Sequence, residues 1–348
     1  MEHLCRHTTL RLGGPCPRFE TAPSVDALVE RIEEIEREGA ELFVLGGGSN
    51  LVVADEGSGG RVVVKLAMDR VAFERDGDDV LVRAEAGASW DELVARCVSE
   101  GLSGIEALSG IPGSVGATPM QNVGAYGQEV SDVITRVRVY DRAARALAWL
   151  PASACGFGYR SSDFRGKTDR IIVEVEMRLR RSPLGAPVRY AELARALSVA
   201  EGEGNEGGRA PLALVRETIL TLRRGKGMVL DDGDPESRSA GSFFTNPIVR
   251  AEVADAVDGA AGAKTPRFPA SEGRVKLAAG WLIERAGFQK GQRFGRVHIS
   301  SKHALALVTE DGATTRELLD AARSIQRGVR ERFAVTLEPE PIFLGCSL

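Results

Sequence analysis

Residues 103–128 read SGIEALSGIPGSVGATPMQNVGAYGQ and hold six glycines (Gly104, Gly110, Gly113, Gly116, Gly124, Gly127), two prolines and a single charged side chain, Glu106. Glycine costs about 1 kcal/mol in a helix or strand interior and proline removes a backbone donor, so neither regular structure suits this stretch. Ile105, Leu108, Ile111, Val115, Met120, Val123 and Tyr126 demand burial, which a solvated linker would not give. What remains is a long ordered loop. It is either an irregular piece of core or a surface of backbone N–H groups that holds a ring edge or a phosphate.

Upstream, residues 24–38 predict an amphipathic helix with Val25, Leu28, Val29, Ile32 and Ile35 on one face, Ser24 as its cap and Gly39 at its end. A strand over 42–45 then runs into Gly46, Gly47, Gly48, Ser49 and Asn50. Leu51 occupies the last glycine position of G-x-G-x-x-G, and no helical pattern follows, so this is not a Rossmann turn. Two readings stay open, a plain hairpin connection or a loop that wraps a pyrophosphate through its N–H groups. Short strands are expected at 62–66, 71–74 and 80–84, and Ser89 with Glu92 predicts a capping box for a helix through Val98.

Downstream, residues 133–140 and 171–179 alternate as strands. Helices and strands mix without a βαβ repeat, which favours an α+β architecture. Between these strands, Arg160 stands among glycines and aromatics in CGFGYRSSDF, either as an anion-binding fork or as one more surface arginine. Arg189, Tyr190 and Leu193 open a short helix, residues 201–208 (EGEGNEGG) predict a mobile surface loop, and helix resumes over 211–223. A polar stretch at 231–239 then suggests a boundary near 223. SAGSFFTNP (239–247) puts Ser242 and Asn246 on a tight aromatic turn; without G-x-S-x-G, Ser242 reads as a turn residue rather than a nucleophile. Helices are expected over 277–286 and 315–333, and a final edge or bulged strand over 335–344, where Glu338 and Glu340 alternate with prolines.

The 348 residues allow about two domains at ~150 residues each. With 43% apolar and 27% charged residues and a formal charge of -4, the composition is that of an ordinary globular protein, and no basic run suggests nucleic acid. No apolar run reaches the ~20 residues of a membrane span. The first residues lack the apolar core of a signal peptide, so a cytoplasmic protein is expected. Five cysteines without C-x-x-C and four scattered histidines give no metal or disulfide framework.

Taken in order, TLRLGG, VLGGGSNLVV, residues 103–128, CGFGYRSSDFR, GSFFTNP, KLAAGWLIERAGF, VHISSKHALALV and LEPEPIF resemble the UDP-N-acetylenolpyruvoylglucosamine reductase (MurB) family over nearly the whole chain. The resemblance implies a two-part FAD-binding domain of the vanillyl-alcohol-oxidase (PCMH) type with an inserted α+β substrate-binding domain. Its expected divisions are 1–67 and 68–223 for the two FAD-binding subdomains, 224–330 for the substrate domain, and 331–348 for a returning strand. Non-covalent FAD would then lie with its pyrophosphate on Gly46, Gly47, Gly48, Ser49 and Asn50. Ser109, Gly110, Pro112 and Gly113 would also bind the cofactor, and its flavin would be lined by Ser114, Gly116, Ala117, Gln121, Asn122, Gly124, Ala125 and Tyr126.

The resemblance also implies the chemistry. NADPH would reduce the flavin and leave, and UDP-N-acetylglucosamine enolpyruvate would take its place, giving ping-pong kinetics and UDP-N-acetylmuramate for peptidoglycan. Arg160 and Glu340 match residues that steady the developing enolate, and Ser242 matches the group that protonates carbon. Tyr190 resembles the lid tyrosine of one branch of the family, and Lys226, Asn246 and Lys276 match substrate-binding positions. A monomer is the expected state. Thr245 departs from the family's usual lysine beside the serine turn, a phosphate contact that Arg223 or Arg224 could supply. Two alternatives stay open, an oxygen-using oxidase on the same fold and a non-catalytic nucleotide-sugar sensor.

Overall fold

Two compact units account for the chain, one made of residues 17–48 and 60–224, the other of 1–16, 49–59 and 225–348. The computed structural model describes residues 1–202, 206–270 and 273–348.

In the first unit, Val62–Leu66 runs in the middle of a parallel three-stranded sheet between Phe19–Ala22 and Leu42–Leu45. The helix Val25–Arg37 covers it. Ser24 caps that helix by accepting the Ala27 N–H at 3.1 Å, and Leu28, Ile32 and Ile35 are fully buried against Val62 and Val64. Each such side chain stabilises the packing by ~1.5–3 kcal/mol. A six-stranded antiparallel sheet follows, ordered Ala146–Pro151, Ile134–Asp141, Arg170–Arg181, Asp79–Glu85, Val71–Asp76, with Leu102–Ser103 also pairing to Arg170–Arg181. Alternation directs Val80, Val82, Val175, Met177 and Leu179 inward, against Trp90, Leu93 and Val94 of the helix Trp90–Ser99. Helices Ala191–Leu197 and Leu212–Arg224 form a smaller cluster with Val188 and Ala107.

In the second unit, the long helix Thr315–Phe333 buries Leu318, Leu319, Ala322, Ile325 and Val329. Thr314 and Glu317 form a reciprocal capping box, and Asp55 accepts the N–H groups of Thr315 and Arg316 at 2.7 and 3.1 Å. The strand Leu51–Val53 pairs in parallel with Ile342–Leu344, so the two ends of the chain share one unit. Two three-stranded sheets complete it. One sets Arg274–Leu277 between Ile248–Arg250 and Arg267–Pro269; the other sets Val297–Ile299 between Arg293–Phe294 and Leu307–Thr309.

Several expectations change. Ser89 flanks its helix but makes no side-chain cap, because its backbone bridges Ser114 while Trp90 N donates to Gly113 O at 3.0 Å. The helix predicted over 277–286 starts at Ala279, since Leu277 belongs to a strand and pairs with Arg267. The predicted strand over 335–344 keeps only Ile342–Leu344, because Pro339 and Pro341 have no N–H to give a ladder. The helix Ala251–Ala261 was not anticipated. Of the loop expected at 201–208, residues 203–205 lie outside the described residues; beside them Gly208 N donates to Ala200 O at 2.8 Å.

Candidate active site

Gly46 and Gly47 of the upstream glycine-rich loop meet the 103–128 loop in the first unit. A Cβ on Gly47 would lie 2.6 Å from Gly113 Cα, and one on Gly46 would lie 2.5 Å from Ser114 Oγ. Real side chains do not approach so closely, so only glycine lets these backbones touch. Gly116 is held the same way, its missing Cβ facing the Ala86 Cβ at 2.5 Å. Ser114 is 4% exposed, and its hydroxyl oxygen is buried with no hydrogen-bond partner. An orphaned hydroxyl beside a backbone cradle without side chains has the character of a binding surface that a polar ligand completes.

The rest of the loop is tied down by named bonds. Glu106, 1% exposed, accepts the Gly104 N–H at 2.6 Å and the Gln128 side-chain amide at 3.2 Å, and Gln128 in turn accepts the Ala107 N–H at 2.8 Å. Trp90 donates its indole N–H to Leu108 O at 3.2 Å. Asp91 accepts the Gly110 N–H at 2.5 Å and both arms of the Arg216 fork at 2.7 and 2.9 Å. Burial pushes the Asp91 carboxyl up, but the Arg216 fork and the Gly110 N–H outweigh it and hold it below its usual range. The N–H groups of Ser109, Gly116, Ala117 and Asn122 also have backbone acceptors, so these positions contribute shape rather than donors. Pro112, Gln121, Gly124, Ala125 and Tyr126 are half-buried, and Ala117 is exposed.

Three side chains in this region hold left-handed backbone, Asn122 (φ 45°), Tyr126 (φ 50°) and Arg160 (φ 50°). Asparagine tolerates that conformation; for tyrosine and arginine it costs about 1 kcal/mol or more and persists only where the surroundings enforce it. The enforcement is visible. Asn122 donates to Glu129 Oε2 at 2.7 Å and to Gly158 O at 3.1 Å, and accepts the Ser131 N–H at 3.1 Å. Arg160 donates to Gly124 O at 2.6 Å, which fixes its guanidinium over the loop. Tyr126 meets Tyr190 edge to face at 5.5 Å, and burial pushes its phenol up to about 12 against the pull of nearby Arg223. Arg223 itself is 8% exposed at the end of Leu212–Arg224.

In the second unit a backbone ladder brings Ser242 and Glu340 together. Ser242 bridges Ala306, and Phe244 bridges Pro339. Between them Phe243 N donates to Leu305 O at 2.8 Å, Glu340 N to Phe243 O at 2.9 Å, and Thr245 N to Glu338 O at 3.0 Å. Phe243 and Phe244, each 1% exposed and 5.2 Å apart edge to face, anchor the turn in the core, leaving Ser242 half-buried. Asn50 donates to Glu340 O at 3.3 Å and accepts the Ile342 N–H at 3.0 Å, so this member of the upstream loop fixes the final strand. Asn246 accepts the Ala279 N–H at 2.9 Å through its side-chain oxygen, which leaves its NH2 as the group able to donate. Lys276 lies 5.9 Å from the Phe268 ring, and Lys226 sits in the turn after Arg224. The roles of Asp91, Arg216 and Glu236, described here and below, carry no sequence motif; only the fold reveals them.

Residues 234–344 match the C-terminal domain of UDP-N-acetylenolpyruvoylglucosamine reductase, and residues 18–147 match an FAD-binding domain. The chain is 52% identical over 351 residues to the UDP-N-acetylenolpyruvoylglucosamine reductase of Thermobifida fusca, covering 99% of this chain and 97% of that one. It is 47% identical to that of Mycobacterium marinum, covering 98% and 93%. The crystal structure of UDP-N-acetylenolpyruvylglucosamine reductase from Thermus caldophilus superposes with a TM-score of 0.67 at 26% identity, covering 98% and 97% of the two chains. FAD fits the residues present, since the glycine contacts and the orphaned Ser114 hydroxyl form a surface that a flavin nucleotide would complete. Among the described residues no helix is long and apolar enough to cross a membrane, and no cluster of potential metal ligands occurs. With its mixed helix and strand content and an FAD-binding domain, the chain belongs to the UDP-N-acetylenolpyruvoylglucosamine reductase family of FAD-dependent oxidoreductases.

Proposed function

We propose that this protein uses NADPH to reduce UDP-N-acetylglucosamine enolpyruvate to UDP-N-acetylmuramate, in the cytoplasm and as a monomer, supplying peptidoglycan synthesis. The observation that supports the reading is the ladder joining the main chain of the Ser242 turn to that of Glu340, two segments far apart in sequence. Bound FAD would supply hydride transfer from the nicotinamide to the terminal enolpyruvyl carbon.

The chain's own groups do the rest. Ser242 Oγ delivers a proton to the carbon that becomes the new stereocentre; an enolate is basic enough to take it, and fixed placement contributes most of the remaining rate. Arg160, clamped to Gly124 O, offers permanent positive charge to the oxygen on which negative charge develops. Glu340 completes the electrostatic setting from the strand end. Lys226, Asn246 and Lys276 bind the nucleotide sugar, and Tyr190, edge to face with Tyr126, closes over its diphosphate. Thr245, which departs from the lysine that the family resemblance implies, donates its N–H to Glu338 O and leaves that phosphate contact to Arg223 or Arg224. In this reading NADPH and the enolpyruvyl sugar alternate at one site.

Ser242→Ala tests it. Followed by flavin absorbance in a stopped-flow instrument, reduction by NADPH should keep its rate while reoxidation by the enolpyruvyl sugar slows by at least about 10²-fold. Equal slowing of both half-reactions would remove the serine from the protonation step.

A further inference from the structure

We infer that Glu236 is the positioning residue that sets Ser242, and that it does so through residues 300–306. This rests on the proton-donor role given to Ser242 above. Between the helix ending at Arg224 and the Ser242 turn, the chain has no regular structure beyond a single short turn, Pro235–Ser237. Such a segment does not hold a catalytic hydroxyl to a fraction of an ångström unaided.

The Glu236 carboxylate provides the hold. One oxygen accepts the Ser300 hydroxyl at 2.5 Å and the Ser301 N–H at 2.9 Å; the other lies 3.2 Å from His298 Nε2. Ser300 is fully buried, and its N–H donates to Ala306 O at 2.9 Å, closing the 300–306 loop on itself. The far end of that loop bears Ser242, through the Ser242–Ala306 bridge and the Phe243 N–H on Leu305 O. One rigid loop therefore grips Glu236 at its start and Ser242 at its end. Lys302 adds a second fastening, an ion pair with Asp234 at 2.7 Å. Glu236 also touches the segment's beginning, since a Cβ on Gly227 would lie 2.9 Å from Glu236 O, beside Lys226. The group that aims the hydroxyl is thus a carboxylate that does not itself take part in the chemistry.

The test uses the FAD-loaded enzyme with Glu236→Ala, Glu236→Gln and Ser300→Ala. In Glu236→Ala, flavin reduction by NADPH should stay within about 2-fold, while reoxidation by the enolpyruvyl sugar slows about 10- to 100-fold, the effect of misplacing a reacting group by about 1 Å. Glu236→Gln keeps an acceptor and should recover part of that loss, and Ser300→Ala should show the same asymmetry at smaller size. Backbone hydrogen exchange at 239–244 should quicken in step, a readout independent of turnover. Should Glu236→Ala fail to fold, the Ser300→Ala result decides. Equal slowing of both half-reactions, or unchanged exchange and reoxidation in a folded variant, would overturn the inference. If Ser242→Ala itself left reoxidation intact, the protonation role would fall, whereas quickened exchange would still show that Glu236 holds the turn.

Discussion

The glycine cradle of the first unit and the Ser242 corner of the second solve the same problem, holding a small group of atoms in place, by opposite means. The cradle is built by leaving side chains out. Gly47 meets Gly113 and Gly46 meets Ser114 because no Cβ intervenes. The corner is built by pulling distant strands in. Ser242 is fixed by residues 305–306 on one side and 338–340 on the other, over two buried phenylalanines. A cradle of that kind tolerates no addition; a corner of this kind tolerates no subtraction.

That contrast is sharpest where the buried anchor is removed. Phe243→Ala should destabilise the protein by about 3–5 kcal/mol, read as a drop in the thermal or denaturant midpoint, and a loss near zero would mean the corner stands without its aromatic footing. Next comes the cradle itself. Gly47→Val should weaken FAD binding by about 10²-fold, or about 2.7 kcal/mol, measured by flavin titration, since a side chain there must displace the Gly113 backbone. Full flavin content in that variant would break the argument that absence of side chains is what the loop requires.

A smaller effect probes the bonds behind the cradle. Asp91→Asn removes a charged acceptor of the Gly110 N–H and the Arg216 fork, and should cost about 1.5–2 kcal/mol of stability. Because the folded-state carboxyl of Asp91 is held below its unfolded value, its contribution is fully present above about pH 3.9 and is lost as pH falls through the lower folded value. Wild type and Asp91→Asn should therefore converge in stability as the solution is acidified; a constant gap down to low pH would place the effect elsewhere. The smallest change is Gly158→Ala. A Cβ there would find only Ser161 Cβ at 3.9 Å, so stability should move by no more than about 0.5 kcal/mol, which separates glycines that the site needs from those it does not.

How much of this was legible in the sequence follows the same division. Glycine is a local signal, so both loops stand out by composition, and an apolar periodicity like that of Thr315–Phe333 declares its helix to the residue. That the loops touch each other is not local, and nothing in 46–50 or 103–128 names the other. The corner is harder still. Glu340 and Ser242 could be singled out by resemblance, yet the bonds that align them run through main-chain atoms of residues 305–306 and 338–340, which any side chains could supply. Asp91 lies in the first turn of the helix Trp90–Ser99, yet it holds the 103–128 loop, because its carboxylate is claimed by Gly110 and by an arginine 125 residues away. Tertiary partners of this kind decide a polar residue's role, and they have no spacing rule to betray them.

The parallel pairing of Leu51–Val53 with Ile342–Leu344 has a bearing on how the molecule is made. Residues 17–48 and 60–224 can leave the ribosome and collapse as one unit long before the chain is finished, as domains generally do during synthesis. In the other unit the strand Leu51–Val53 waits almost three hundred residues for its partner. That unit's last pieces to emerge, Glu338 to Leu344, are the ones that lock the Ser242 turn. In a growing chain the glycine loops of the first unit can thus form early, whereas the backbone ladder around Ser242 forms only once residues 338–340 have emerged.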